Sequence, residues 1–347
     1  MSKRKLTFGF AACLGLAALL GVNGCGGSLG SSAPAARAYL GTQGPGDVWT
    51  WNINNGAFTA SNQTKGYTYS GTEAALPTGF MKLTISNSTD PGVTAGQSAY
   101  ALELPGTALI LKPAGDDTNP PIITGSIGTN PAGPQVSFNF VAVGKQGYQL
   151  TDQAYGHVTF AVTGNDYSGT SHRFEIDGTP LADGPSDFTG VNGYMTDNSV
   201  PPATGAMTPS GVCVLDYGPN NGGVIGVLQP STNVDLAVIG AKHFKGFLIN
   251  QGKTQCVTVS PNGDGTLHGA GYSLGTGVET GTFDNGSGVT ITFTGQPNPG
   301  EVTVSIATSG GSEQLVAAIN QVGGKYMMFC FGVDSQNTPY NVILMES

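Results

Sequence analysis

Few groupings of residues in this chain could do chemistry. Gly271-Tyr272-Ser273-Leu274-Gly275 fits the Gly-x-Ser-x-Gly pattern, in which a sharp strand-to-helix turn exposes a nucleophilic serine beside an oxyanion hole. That chemistry needs a histidine base, which follows the serine in the chain order of such hydrolases. Here His157, His172, His243 and His268 all precede Ser273, and turn-rich β sequence flanks it on both sides. The run from His172 to Asp177 groups His172, Phe174 and Ile176 on one strand face and Arg173, Glu175 and Asp177 on the other, the pattern of a half-exposed strand. Asn262-Gly263-Asp264-Gly265-Thr266 has oxygen ligands at alternate positions but lacks the distal bidentate Glu of a calcium loop, and reads as a hairpin turn. The Gly-x-x-x-x-Gly-Lys phosphate cradle does not occur. The expectation is therefore a protein without a catalytic or metal constellation and without a cofactor, acting by binding.

Trp49 and Trp51 are the only tryptophans. At i and i+2 on a strand their indoles point the same way. They could stack on a sugar or contact an apolar ligand, but filling the core of the first β module is the preferred reading.

The elements around these residues read as short strands. In the second half, 211–217, 224–228, 234–239, 244–249, 254–260, 266–272, 289–294 and 301–307 are apolar or alternating stretches separated by Asn-Gly and Pro-Gly turns, the signature of an antiparallel meander. The sole helix candidate is 312–322, between a capping Ser312 and Gly323. A strand is preferred there, because Gly323-Gly324 would then turn it into 326–331. In the first half, 48–53, 66–70, 80–85, 99–104, 108–111, 135–143, 156–162 and 172–176 are strand candidates. The fold expectation is all-β, an antiparallel meander, barrel- or sandwich-like. Two β modules, 39–190 and 205–347, meet in a stretch without alternation that holds Pro201-Pro202. One continuous barrel or sandwich is the alternative.

The chain opens with Lys3-Arg4-Lys5 and an apolar run over 6–22, the layout of an export signal. Val22-Asn23-Gly24-Cys25 then resembles the lipobox of bacterial lipoproteins. That resemblance covers only these residues and the signal before them. It implies that Cys25 receives a diacylglyceryl thioether, that residues 1–24 are removed, and that the membrane is a partner through the lipid. Each buried methylene contributes about 0.8 kcal/mol, so two or three acyl chains hold firmly where one does not. Residues 25–38 read as a flexible tether. Gly26 resembles the pattern that permits export to an outer membrane.

Composition limits the partners. Removing 1–24 takes three of the 13 Lys+Arg and none of the 22 Asp+Glu, leaving ten cations against 22 carboxylates, a net charge of −12. Such a chain cannot neutralise a row of phosphates, which excludes nucleic acid. It also lacks a polybasic patch for anionic lipid, so the lipid itself must anchor it. The 55 glycines and sparse charge suit an extracytoplasmic β protein rich in turns. Of the five cysteines, Cys13 leaves with the signal and Cys25 takes lipid; one pair among Cys213, Cys256 and Cys330 could be bridged, or all three could be buried thiols. The function expected is a lipid-anchored envelope protein with a binding or surface-structural role, its partner an envelope protein, a glycan or a small apolar ligand. A ligand-binding β-barrel is the first alternative and a hydrolase using Ser273 the second.

The anchor has a direct test. Intact mass of the membrane fraction should show a chain beginning at Cys25 and carrying two or three acyl groups, and Cys25→Ala should leave the protein unacylated and outside that fraction.

Overall fold

The computed structural model describes residues 36–43, 47–76, 79–113, 121–128, 131, 133–143, 154–198, 202–217, 222–250, 253–261, 267–272, 279–284, 290–308, 311–334 and 336–347. The proposed signal and Cys25 lie outside these. Among the described residues every pairing between strands is antiparallel, and the one α-helix is four residues long. The protein is all-β, as its strand-and-turn texture indicates.

Three sheets account for the strands. The first comprises β1 (Arg37–Gln43), β2 (Asp47–Asn54), β3 (Ala57–Asn62), β4 (Tyr67–Ala75), β5 (Met81–Ser88), β6 (Ser98–Leu104), β7 (Ala108–Pro113) and β8 (Ile122–Ser126). Each strand pairs with the next, and β8 returns to β1 with Gly41 opposite Thr124, closing a meander barrel. The second comprises β9 (Gln135–Val143), β10 (Tyr155–Thr163), β11 (Asp166–Phe174), β12 (Gly184–Val191), β13 (Tyr194–Thr196), β14 (Thr204–Met207), β15 (Val212–Asp216) and β16 (Gly223–Leu228). It closes the same way, β16 returning to β9 with Gly226 opposite Phe140. Helix α1 (Leu236–Ile239) leads into the third sheet: β17 (Phe244–Asn250), β18 (Lys253–Pro261), β19 (Leu267–Tyr272), β20 (Glu279–Asp284), β21 (Thr290–Asn298), β22 (Glu301–Thr308), β23 (Gly311–Val322), β24 (Lys325–Val333) and β25 (Pro339–Glu346).

The third sheet has the order β20-β19-β18-β17-β25-β24-β23-β22-β21. Its two outermost strands, β20 and β21, are consecutive in sequence. From Asp284 to Thr290 is six residue steps, at most about 22 Å of extended chain. Nine strands laid flat would set the edges about 38 Å apart. The chain's own length therefore forces this sheet to curl.

Burial explains the strand sequences. The largest apolar cluster lies between the sheets and draws on all three: Leu102 and Ile110 from the first barrel, Val141, Val214 and Val227 from the second, Phe247, Phe329 and Ile343 from the third. Strands that face this hub are buried on both sides. In β7, Ala108 and Ile110 point to the hub while Leu109 and Leu111 point into the first barrel. In β15, Val212 and Val214 face the hub and Cys213 and Leu215 the second barrel. In β24, Met327, Phe329 and Phe331 face the hub, and Met328 and Cys330 the inner face of the third sheet. Such strands read as unbroken apolar runs, whereas strands with one wet face alternate.

Two local expectations need correction. Residues 234–239, expected as a strand, hold α1, because the Asp235 carboxylate accepts from the backbone of Ala237 (2.9 Å) and Val238 (3.3 Å) and caps a helical turn. The stretch from Asp183 to Gly211, expected as a module boundary, contains β12, β13 and β14, which complete the second barrel. β13 and β14 have three and four residues, too few for alternation to register. The passage from one sheet to the next falls instead between Ser126 and Gln135, and between Leu228 and Phe244. By contrast, 312–322 is strand, and Gly323 and Gly324 turn it into β24 with φ of 61° and 82°, a conformation glycine adopts without strain.

Glu313 gives the third sheet a pH response. It is 1% exposed on β23, and burial, with the Asp334 charge, pushes its carboxyl up to about 7 against the Tyr340 hydroxyl, which acts the other way. The folded chain thus keeps a proton that the unfolded chain loses near the ordinary 4.5, so stability falls as pH rises from there to about 7. The loss should be on the order of 2 kcal/mol in urea melts compared at pH 5 and pH 8, and Glu313→Gln should abolish it. In the hub, Phe329→Ala should cost about 3–5 kcal/mol.

Candidate functional site

Eight-stranded barrels are just wide enough for side chains to fill them or for one small ligand to enter. The two barrels here differ in this respect.

The first is plugged. Trp49 and Trp51 lie inside it, their ring centroids 6.0 Å apart at 22°, with Tyr69 5.3 Å from Trp49 and Phe58 5.6 Å from Trp51. Both indoles are core, buried among Leu83, Leu109 and Ile122. Neither indole N–H meets an acceptor among the described residues. Polar groups complete the filling at either end. Arg37 Nη2 donates to Glu103 Oε2 at 3.0 Å and lies 3.6 Å from Glu73, and the Tyr39 hydroxyl also donates to Glu103. Burial, then the bond to Glu103, pushes the Tyr39 phenol up, so it remains a donor. Asp47 accepts from Lys65 at 2.7 Å and from Asn62 Nδ2 at 2.8 Å.

The second barrel is hollow at one end. Its inward face holds a chamber of about 330 Å³, a volume at the lower end of those that take small molecules. Phe138 and Phe140 from β9, Val158 and Phe160 from β10, Phe188 from β12, and Cys213 and Leu215 from β15 form an apolar wall. Phe160 meets Phe188 edge-on, centroids 6.1 Å apart at 80°. Ser171, Arg173, Leu181, Ser186, Tyr217 and Val224 also line it. The Ser171 and Ser186 hydroxyls bond each other across β11 and β12, and Arg173 Nη2 donates to the Ala182 carbonyl at 2.8 Å. Strand alternation places Arg173 on the same face of β11 as Tyr167, which belongs to the barrel's interior cluster.

The residues singled out from sequence scatter. Cys25, Ser273 and 262–266 lie outside the described residues. Cys213, Cys256 and Cys330 are free and buried, so the bridged alternative gives way to the thiol one. The reason is placement: Cys213 faces the second barrel's interior, Cys256 the hub and Cys330 the inner face of the third sheet, and no two share a compartment. His157 pairs with Glu301 at 3.4 Å and with Asn298 at 3.0 Å where the second barrel meets the β21–β22 hairpin. His172 pairs with Asp183 at 3.1 Å. Among the described residues no group of three His, Cys, Asp or Glu could hold a metal. The sequence pattern groups Arg173 with Glu175 and Asp177 on the polar face of a half-exposed strand. The signal that it lines an interior is closure of the sheet, which residue patterning along one strand does not encode.

No family model matches the chain, and no curated protein does either. Among solved structures, a 6-phosphogluconolactonase candidate from Bacteroides fragilis aligns over 88% of this chain and 98% of that one at 12% identity, with a TM-score of 0.13. A score that low carries no argument about fold or activity.

Burial pushes the Cys213, Cys256 and Cys330 thiols up to about 12. At neutral pH they are thiols, not nucleophilic thiolates. Maleimide labelling followed by intact mass should find none of the three reactive in the folded protein and all three reactive in denaturant. In the first barrel, Trp51→Ala should cost about 3–5 kcal/mol. Trp51→Phe, which keeps a ring and removes an unpaired donor, should cost far less.

Proposed function

We propose that this protein is a lipid-anchored component of the cell envelope that acts without catalysis by holding a small, largely apolar ligand in the second barrel. The observation that carries the ligand reading is the phenylalanine-lined chamber of about 330 Å³, beside a first barrel of the same strand number whose interior is filled. A core that evolved only for stability is packed to crystal density, so a retained void of this size favours occupancy. The lining argues against bond-breaking chemistry at this place. Among the described residues its polar side chains are Ser171, Arg173, Ser186 and Tyr217, with no histidine or carboxylate to serve as base. Cys213 is its one sulfur nucleophile, and burial holds that group as the thiol.

The anchor reading rests on Val22-Asn23-Gly24-Cys25 and the export signal before it. β1 begins twelve residues beyond Cys25, so the plugged barrel is the unit nearest the anchor and serves as a spacer in this reading.

The neutral fluorophore N-phenyl-1-naphthylamine tests the chamber. With Cys25→Ala protein, which needs no detergent, it should bind once per chain with enhanced emission. Cys213→Phe and Val224→Phe, each filling the chamber from a different strand, should weaken binding at least tenfold. Binding unchanged in both folded variants would refute the chamber as the site.

A further inference from the structure

The chamber reading leaves open what kind of small molecule enters, and the charge arrangement at its rim bears on that. Resting on that reading, we infer that the ligand is an amphipathic carboxylate, its apolar body among the phenylalanines and its acid group at Arg173.

Among the described residues of the second barrel, Arg173 is the one cation, in a chain whose mature form carries a net charge of −12. Its position is therefore informative. It stands on an inward-facing register of β11, in the lining of the chamber. One N–H of its guanidinium donates to the Ala182 carbonyl, and no ion pair to it occurs among the described residues. Of the carboxylates near it in the chain, Asp183 pairs with His172 and Asp177 accepts from the Thr179 backbone, and neither these nor Glu175 forms an ion pair with Arg173. The guanidinium has five N–H donors in a planar fork that matches a carboxylate with two parallel bonds. The Ser171 and Ser186 hydroxyls, bonded to each other, and that of Tyr217 stand in the same lining.

The apolar part sets the size. About 330 Å³ is roughly eleven times the liquid volume of a water molecule, which admits an apolar body of about ten heavy atoms. Arg173 is exposed, so the acid group would rest at the water boundary and its charge would not be buried. A solvent-screened ion pair of this kind adds a modest increment to binding that is otherwise apolar.

The test compares decanoate, decanol and decyltrimethylammonium by calorimetry at pH 7.5, again with Cys25→Ala protein. Decanoate should bind about tenfold or more tighter than decanol, and the ammonium weakest. Arg173→Gln should remove the preference for decanoate and leave decanol affinity unchanged, while Arg173→Lys should restore part of it. Equal affinities for acid and alcohol, or a preference that survives Arg173→Gln, would overturn the carboxylate assignment and leave the apolar chamber standing. Absence of binding by all three would overturn both.

Discussion

One apolar cluster is shared by three sheets, and the rest of the structure follows from that sharing. A closed barrel alone needs apolar residues only on its inward face, and its outside can be polar. Here each sheet turns part of its outer face into a common centre. Strands at that centre must therefore be apolar twice over, as in Ala108–Leu111, Val212–Leu215 and Tyr326–Phe331. The wet sectors keep the ordinary alternation, as in β3, where Phe58 and Ala60 are buried between exposed neighbours. Burial against the hub, rather than covalent cross-links, holds the units together, since the three described cysteines are free.

With the outside of the barrels fixed by the hub, their insides are free to differ. The first barrel's interior is occupied by the two indoles, Tyr39, Tyr69 and a part-buried Arg37–Glu103 pair. The second uses phenylalanines at one end and leaves a space. Its other end is closed by Met195 and Met207, both fully buried. The chamber thus has an apolar floor and a rim of hydroxyls with one cation. That arrangement, together with the anchor signature, is what supports the proposed binding role.

Much of the fold was legible in the sequence because turn chemistry and strand period are local. Gly323-Gly324 marked its hairpin, and most strands were found within a few residues. The sequence pattern does not mark β1, β3, β8, β12, β13, β14, β20 or β25; of these, β13 and β14 are too brief to show a period. Residues 234–239 carry strand-like composition, and only the Asp235 cap makes them helical. The candidate site was far less legible. Which face of β11 lies inside depends on the return of β16 to β9 across more than eighty residues, a non-local fact. Arg173 therefore read as a surface charge, while the conspicuous tryptophans proved to be filling.

The central claim is that the second barrel is occupied in the cell. Native mass spectrometry of the protein isolated from its native cells, set against the denatured mass, tests it most directly. The account predicts one small organic acid per chain, present in the native mass and lost on denaturation. A native mass equal to the denatured mass, unchanged after incubation with excess medium-chain acids, would contradict it.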